Sequence, residues 1–219
     1  MRSAFHQELD HLADSLVEMA DLVGTAMGEA TRALLEPDLA LAEKVISGDA
    51  AIDALQRQLD NRAVVLLAQQ QPVATDLRVV VSTLRMSMTL ERMGDLARHV
   101  AQVARLRYPK PAVPEQLRTV VARMGEVAEA VAHKASEVIR TRDLALAAQL
   151  EQDDDELDEL HRQMFSLLVE LGAEVGPGAI VDVTLLSRYF ERFGDHAVNI
   201  AQRVEFLVTG EEEPATTNR

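Results

Sequence analysis

The sequence predicts an all-α protein built as two tandem, pseudo-symmetric up-down-up three-helix bundles, six long helices in all, and three observations carry that prediction. First, the chain repeats itself. Glu91-Arg92-Met93-Gly94-Asp95 returns as Glu191-Arg192-Phe193-Gly194-Asp195, and Asp38-Leu39-Ala40-Leu41-Ala42 returns unchanged at Asp143-Leu144-Ala145-Leu146-Ala147. A repeat of this length makes one half the architectural template of the other. Second, aromatic residues make up only 3% of the chain and Gly is sparse, while Ala, Leu, Val, Glu, Gln and Arg dominate, which favours helix over sheet. Third, Pro and Gly interrupt the chain in short clusters between long apolar-periodic stretches, and short connections make successive helices antiparallel neighbours.

Taken in order, Leu9, Leu12, Leu16, Met19, Val23, Met27 and Ala30 fall at helical spacing and predict a first helix from about Ser3 to Leu35, ended by Glu36-Pro37-Asp38. Asp38 is an N-cap candidate for a second helix to about Gln69, and Thr75 or Asp76 for a third reaching Leu106 or Arg107. Tyr108-Pro109-Lys110-Pro111-Ala112-Val113-Pro114 reads as the linker between a first bundle, 1–108, and a second, 115–209, with the linker proper at 109–114. The fourth helix starts near Glu115 and breaks at Thr141-Arg142. The fifth runs from about Asp143, again a capping residue, to Leu171, and the sixth from about Ala179 to Val208. Residues 210–219 have no apolar anchor and are expected to be disordered. The Asp38 and Leu55 blocks recur at an offset of 105 and the Glu91 block at 100, so five residues are missing from the second copy. Deletions are tolerated where a chain turns, which places the loss near Gln69-Gln70-Gln71-Pro72 and Gly176-Pro177-Gly178.

Bulk properties exclude several classes. Cysteine is absent, so disulfides and thiolate metal sites are ruled out, and the N-terminal residues Met-Arg-Ser-Ala-Phe-His-Gln lack a signal-peptide core, which together lead to a cytoplasmic expectation. No stretch approaches the roughly 18 apolar residues that a membrane span needs. A net charge of −14 disfavours nucleic acid and anionic lipid, so membrane association is expected only through partners. No phosphate-cradling Gly-rich loop is present, Gly176-Pro177-Gly178 reads as a turn, and no catalytic residue is assigned.

The residues that carry chemistry are four acidic pairs at i,i+4 in matching repeat positions: Asp49/Asp53 and Glu91/Asp95, then Asp154/Asp158 and Glu191/Asp195. Random placement of 36 acidic residues in 219 already yields about six such pairs, so spacing alone decides nothing. Register does more. With a turn near residue 71, Asp49 and Asp53 lie 22 and 18 residues before it and Glu91 and Asp95 lie 20 and 24 after it. With a turn near 175, Asp154 and Asp158 lie 21 and 17 before it, and Glu191 and Asp195 lie 16 and 20 after it. Each half therefore brings four carboxylates to one height, where their repulsion calls for protonation, basic neighbours or a cation. Arg92 and Arg192 project about 100° away around an ideal helix. An all-oxygen site suits a divalent or trivalent metal ion such as iron, manganese, magnesium or calcium, and zinc less. Gly94 and Gly194 each cost their helix about 1 kcal/mol relative to Ala, which implies either close helix packing or room for metal and its ligands.

Glu191-Arg192-Phe193-Gly194-Asp195-His196-Ala197-Val198-Asn199-Ile200, its first copy and Gln71-Pro72-Val73-Ala74-Thr75-Asp76-Leu77-Arg78 together resemble the PhoU family of phosphate-transport regulatory proteins over essentially residues 1–209. The first copy departs from the family pattern at Leu96, Arg98 and His99. The resemblance implies a cytoplasmic, often dimeric, non-enzymatic regulator of phosphate homeostasis that binds metal through the eight acids. It further implies negative regulation of the phosphate-starvation response and of phosphate uptake, through contacts with the ATPase subunit of the phosphate ABC transporter and with a sensor histidine kinase. Two other readings stay open at this level. A ferritin-like carboxylate-bridged di-metal protein needs Glu-x-x-His on two helices, and the chain offers only Glu8-Leu9-Asp10-His11. A metal-free helical scaffold would keep the acids as a solvated face. His99 and His196 are expected in structural or interface roles.

Overall fold

The computed structural model describes residues 2–211. Its six helices are α1 (Arg2–Leu35), α2 (Leu39–Gln70), α3 (Ala74–Arg107), α4 (Arg118–Thr141), α5 (Leu144–Val175) and α6 (Pro177–Thr209), with one 3₁₀ turn, Glu115–Leu117, before α4. Of the tail expected to be disordered, the residues after Glu211 lie outside those described.

Two starts follow the capping rule. The Asp38 carboxylate accepts from the Leu41 N–H at 2.9 Å, and Asp143 accepts from Ala145 and Leu146 at 2.8 and 3.3 Å. A side chain in this role stabilises a helix by about 1 kcal/mol, which fits its return in both copies. The α3 start differs from expectation. Val73 holds the N-cap position without a side-chain bond, and Asp76 sits inside the first turn, where its charge complements the helix N-terminus. At the second hairpin Gly176 adopts φ +79° and Pro177 opens α6 at N1, where a missing N–H costs nothing.

The hairpins also resolve the missing residues. The connection shrinks from residues 71–73 to Gly176 alone, and Glu91 lies 17 residues into α3 whereas Glu191 lies 14 into α6. Two of the five are lost from the loop and three from the first turn of the helix after it.

Helices α1, α3, α6 and α4 form a central four-membered layer, with α2 packed against α1 and α3, and α5 against α4 and α6. The two three-helix bundles therefore share one continuous core that runs from Leu12, Leu16 and Met19 through Met86, Leu90 and Met93 to Phe190 and Phe193. Small residues set the α1–α4 crossing. A Cβ at Gly125 would collide with Thr31 Cγ2 and stand 2.8 Å from Thr31 Cβ, and one at Gly24 would lie 3.2 Å from Ala132 Cβ. Across α3–α6 the contacts are specific. Arg107 grips the buried Asp182 through Nε–Oδ2 at 2.5 Å and Nη2–Oδ1 at 3.0 Å, and His99 stacks on Tyr189 with ring centroids 5.2 Å apart. Among the described residues no helix is long and apolar enough to cross a membrane.

Candidate metal centre

The acids of each quartet lie near one another across their helix pair, and a glycine of the inner helix stands at each contact. On α3, a Cβ at Gly94 would stand 3.4 Å from Asp49 Oδ1 and 3.1 Å from Ile52 Cδ1 of α2. On α6, a Cβ at Gly194 would collide with Asp154 Oδ1 and lie 2.7 Å from Leu157 Cδ1 of α5. The first aspartate of each outer helix thus lies against the bare backbone of the inner one. Of the two roles open to these glycines, close helix packing is the one the contacts display.

In the first quartet, Asp49 is buried and is held by an arginine from the other helix. Arg98 Nη1 lies 3.0 Å from Asp49 Oδ2, while Arg98 Nη2 donates to Asp95 Oδ1. Arg92 does not point away as its helix position implied. Its long side chain folds back so that Nη1 donates to Asp95 Oδ2 at 3.2 Å and Nε approaches Glu91 Oε2 at 3.5 Å. Asp53, the most exposed of the four, faces Arg57 at 3.7 Å. Burial raises the Asp49 carboxyl above its ordinary range, and Arg98 opposes that rise while Asp53 and Asp95 add to it. Glu91 is raised by burial and then by Asp95, with Arg92 in opposition.

The second quartet lacks such a bridge. Asp154 is pushed up to about 7 by burial and then by the negative charges of Asp158, Asp195, Glu191 and Asp155. Burial also raises Glu191 and Asp195, reinforced respectively by Asp195 and by Asp158 and opposed in both by Arg188. Arg188 donates to Glu191 Oε1 from one turn earlier on the same helix. Two oxygens are left over: Asp154 Oδ1 and Glu191 Oε2 are buried without a hydrogen-bond partner. Buried polar atoms are almost always paired, so two orphans in one cluster point to a missing positive group.

One neighbour was passed over in the sequence. His161 Nδ1 lies 2.6 Å from Ser187 Oγ, one turn beyond Asp158 and Glu191. Burial and then Arg188 lower its pKa, against the opposing pulls of Asp158 and of the Ser187 hydrogen bond. Its counterpart by the 105 offset is Gln56, and Ser87 there turns instead to Asp60 at 3.3 Å. His99 and His196 take interface positions: His99 meets Tyr189, and the pKa of His196 is lowered by burial and then by Arg192 and Arg92. The lone Glu-x-x-His segment lies apart from both quartets, with Glu8 paired to Arg62 at 3.2 Å and His11 exposed.

Among the described residues no three His, Cys, Asp or Glu side chains stand at mutual metal-ligating distances. Asp49, Glu91, Asp95 and Glu191 lean toward arginines instead. By donor chemistry the second quartet nonetheless fits a cation: all its carboxylate donors are oxygen and two are orphaned. The first fits less well, because Arg98 already satisfies Asp49 and Asp95.

The two repeated halves coincide with a known family. A family model described as "PhoU domain" matches residues 16–104 and 121–204. The chain belongs to the PhoU family. Relatives within it include the "Phosphate-specific transport system accessory protein PhoU homolog 2" of Mycobacterium tuberculosis (strain ATCC 25618 / H37Rv), 48% identical over 96% of this chain and 99% of the relative. The PhoU homolog of Rhizobium meliloti (strain 1021) is 33% identical over 95% of this chain and 88% of its own length. Among solved structures, PhoU from Pseudomonas aeruginosa superposes with a TM-score of 0.83 at 29% identity, covering 94% of this chain and all of that one. The phosphate transport system regulatory protein PhoU from Streptococcus pneumoniae gives 0.86 at 26% identity, covering 96% and 99%. The two-bundle PhoU fold is thus that of this chain.

Proposed function

We propose that this protein is the accessory regulator of a phosphate-specific transport system and acts as a negative regulator of the phosphate-starvation response and of phosphate uptake. The observation that carries the reading is the near full-length match, at 48% identity, to a protein named for that system. Its partners in this reading are the ATPase subunit of the phosphate ABC transporter and a membrane sensor histidine kinase, met from the cytoplasmic side, and a second copy of the chain as a homodimer. It performs no catalysis. It is a protein whose surface and rigidity are read by others.

Metal is the second part of the proposal. Asp154, Asp158, Glu191 and Asp195 hold a divalent or trivalent ion, and Asp49, Asp53, Glu91 and Asp95 form the matching frame in the first half. A bound cation supplies charge neutralisation at the oxygens that burial leaves unpaired. The chain's own residues do the rest. Gly194 keeps the α5–α6 contact close, Leu157 packs against it, and Arg188 holds Glu191 from its outer side. Iron, manganese and magnesium suit such oxygen ligands, and zinc does so less even with His161 close by.

The regulatory reading is tested by deleting the gene in its source bacterium and following a phosphate-regulated reporter at high phosphate. Derepression is expected, and a reporter that stays silent rejects negative regulation. Elemental analysis of the purified protein tests the metal reading, which fails if alanine at Asp154, Asp158, Glu191 and Asp195 together leaves metal content unchanged.

A further inference from the structure

We propose that Arg98 is a built-in counter-ion that closes the first acidic quartet to metal, so that metal loads the second quartet in preference. The inference rests on the metal reading above and adds an inequality between the halves.

The repeat makes the comparison direct, because at an offset of 100 the position of Arg98 is held by Val198. On α3, residue 98 lies one turn beyond Asp95, on the same face, and its stem is long enough to carry the guanidinium across to α2. There it joins Asp49 of one helix to Asp95 of the other, with the Asp49 contact at 3.0 Å. A cation held by Asp49 and Asp95 would compete with the guanidinium for the same carboxylates. The guanidinium side chain is one-third exposed and the Asp49 side chain only 8% exposed, so the pair plugs the quartet from the solvent side. Planar, permanently charged and able to grip two carboxylates at once, arginine suits this task better than lysine. A metal entering here must displace Arg98 and then tolerate its charge nearby.

In the second half, Val198 carries no charge and is half-buried, so nothing from position 198 crosses between α5 and α6. The consequence is visible in the carboxylates: Asp154 Oδ1 and Glu191 Oε2 have no partner, whereas no oxygen of Asp49 or Asp95 is orphaned. Arg188 reaches Glu191 on its own helix and leaves the other oxygen free. Apart from three missing residues at the start of α6, both quartets sit in the same frame of glycine and paired acids. Position 98 differs, as do positions 188 (Met88 in the first half) and 161 (Gln56 in the first half), and of these Arg98 is the one that joins its two helices as a cation.

The test uses the full-length protein with Mn²⁺ as probe, read by titration calorimetry and by elemental analysis after gel filtration. Asp154→Ala with Glu191→Ala is expected to remove the tightly held Mn²⁺ from the otherwise wild-type chain. Adding Arg98→Val to that double variant is expected to restore tight binding, now in the first half, with affinity at least about tenfold above that of the double variant. The reciprocal change, Val198→Arg, is expected to abolish tight binding in the second half. Arg98→Met, which keeps the apolar stem, repeats the gain if Arg98→Val folds poorly, and circular dichroism verifies helix content throughout. Equal loss of Mn²⁺ from wild type on mutating either quartet overturns this inference while leaving the metal reading intact. Absence of bound Mn²⁺ from wild type and from Arg98→Val alike overturns both.

Discussion

The two acidic quartets share a motif, a glycine and a register, yet they solve their electrostatic problem differently. In the α2–α3 hairpin, Arg98 bridges the buried Asp49 to Asp95. In the α5–α6 hairpin, position 198 is valine, Asp154 is pushed up to about 7 by burial and its acidic neighbours, and two carboxylate oxygens lack partners. A duplicated ligand frame thus does not imply duplicated binding. In the inference proposed above, Arg98, a departure from the repeated pattern, is the side chain that decides which copy is open to metal.

Variants that disturb one half at a time break or sharpen this contrast. The largest effect is expected from Arg98→Met, which leaves Asp49 buried beside other carboxylates. Discounted for the partial exposure of the arginine, the loss is about 2–3 kcal/mol in urea unfolding, whereas Arg188→Met at its exposed position costs about 0–1 kcal/mol. Equal losses would mean that Arg98 bridges nothing of consequence.

Next in size is the glycine pair. Gly194→Ala drives a methyl into Asp154 and Leu157 and is expected to cost about 1–3 kcal/mol by thermal melting. Gly94→Ala meets Ile52 at 3.1 Å and gains about 1 kcal/mol of helix propensity, so it should be close to neutral.

Charge removal sharpens the contrast by degree. Without added metal at pH 8, Asp154→Asn relieves a disfavoured charge and should stabilise by about 1 kcal/mol, whereas Asp49, also raised by burial but opposed by Arg98, should gain less from Asp49→Asn. The Asp154 carboxyl also carries a pH dependence. Its folded value, about 7, lies above the ordinary 3.8, so the folded state holds the proton more tightly between those limits. Its contribution to stability is then full below about pH 4, declines as pH rises toward 7 and is flat above. The stability of the wild-type chain relative to Asp154→Asn should therefore fall between pH 4 and 7, and a difference that rises instead would reject the raised value.

Much of this was legible in the sequence because it depends on period and spacing. Apolar recurrence located the six helices, Asp38 and Asp143 announced two starts, and counting from the turns brought the quartets level. The α3 start differs because Thr75 and Asp76 have the right chemistry for a cap, yet the helix opens before them, at Ala74, whose φ is +50°, with Val73 at the N-cap. Arg92 was misplaced because a Cβ direction says little about a long side chain that can fold back onto Glu91 and Asp95. Arg98 was noticed only as a departure from a pattern. Its i+3 relation to Asp95 was readable, but its reach to Asp49 depends on the distance between two helices, which no single-helix spacing contains. His161 was hidden in the same way, since its partner Ser187 lies on another helix.

The most direct measurement is anomalous diffraction from crystals of the full-length protein grown with Mn²⁺. One peak is predicted beside Asp154 Oδ1 and Glu191 Oε2, with Arg98 still joining Asp49 to Asp95 and no peak between them. Peaks of equal height in both quartets, or a peak in the first alone, would contradict the inequality of the two halves.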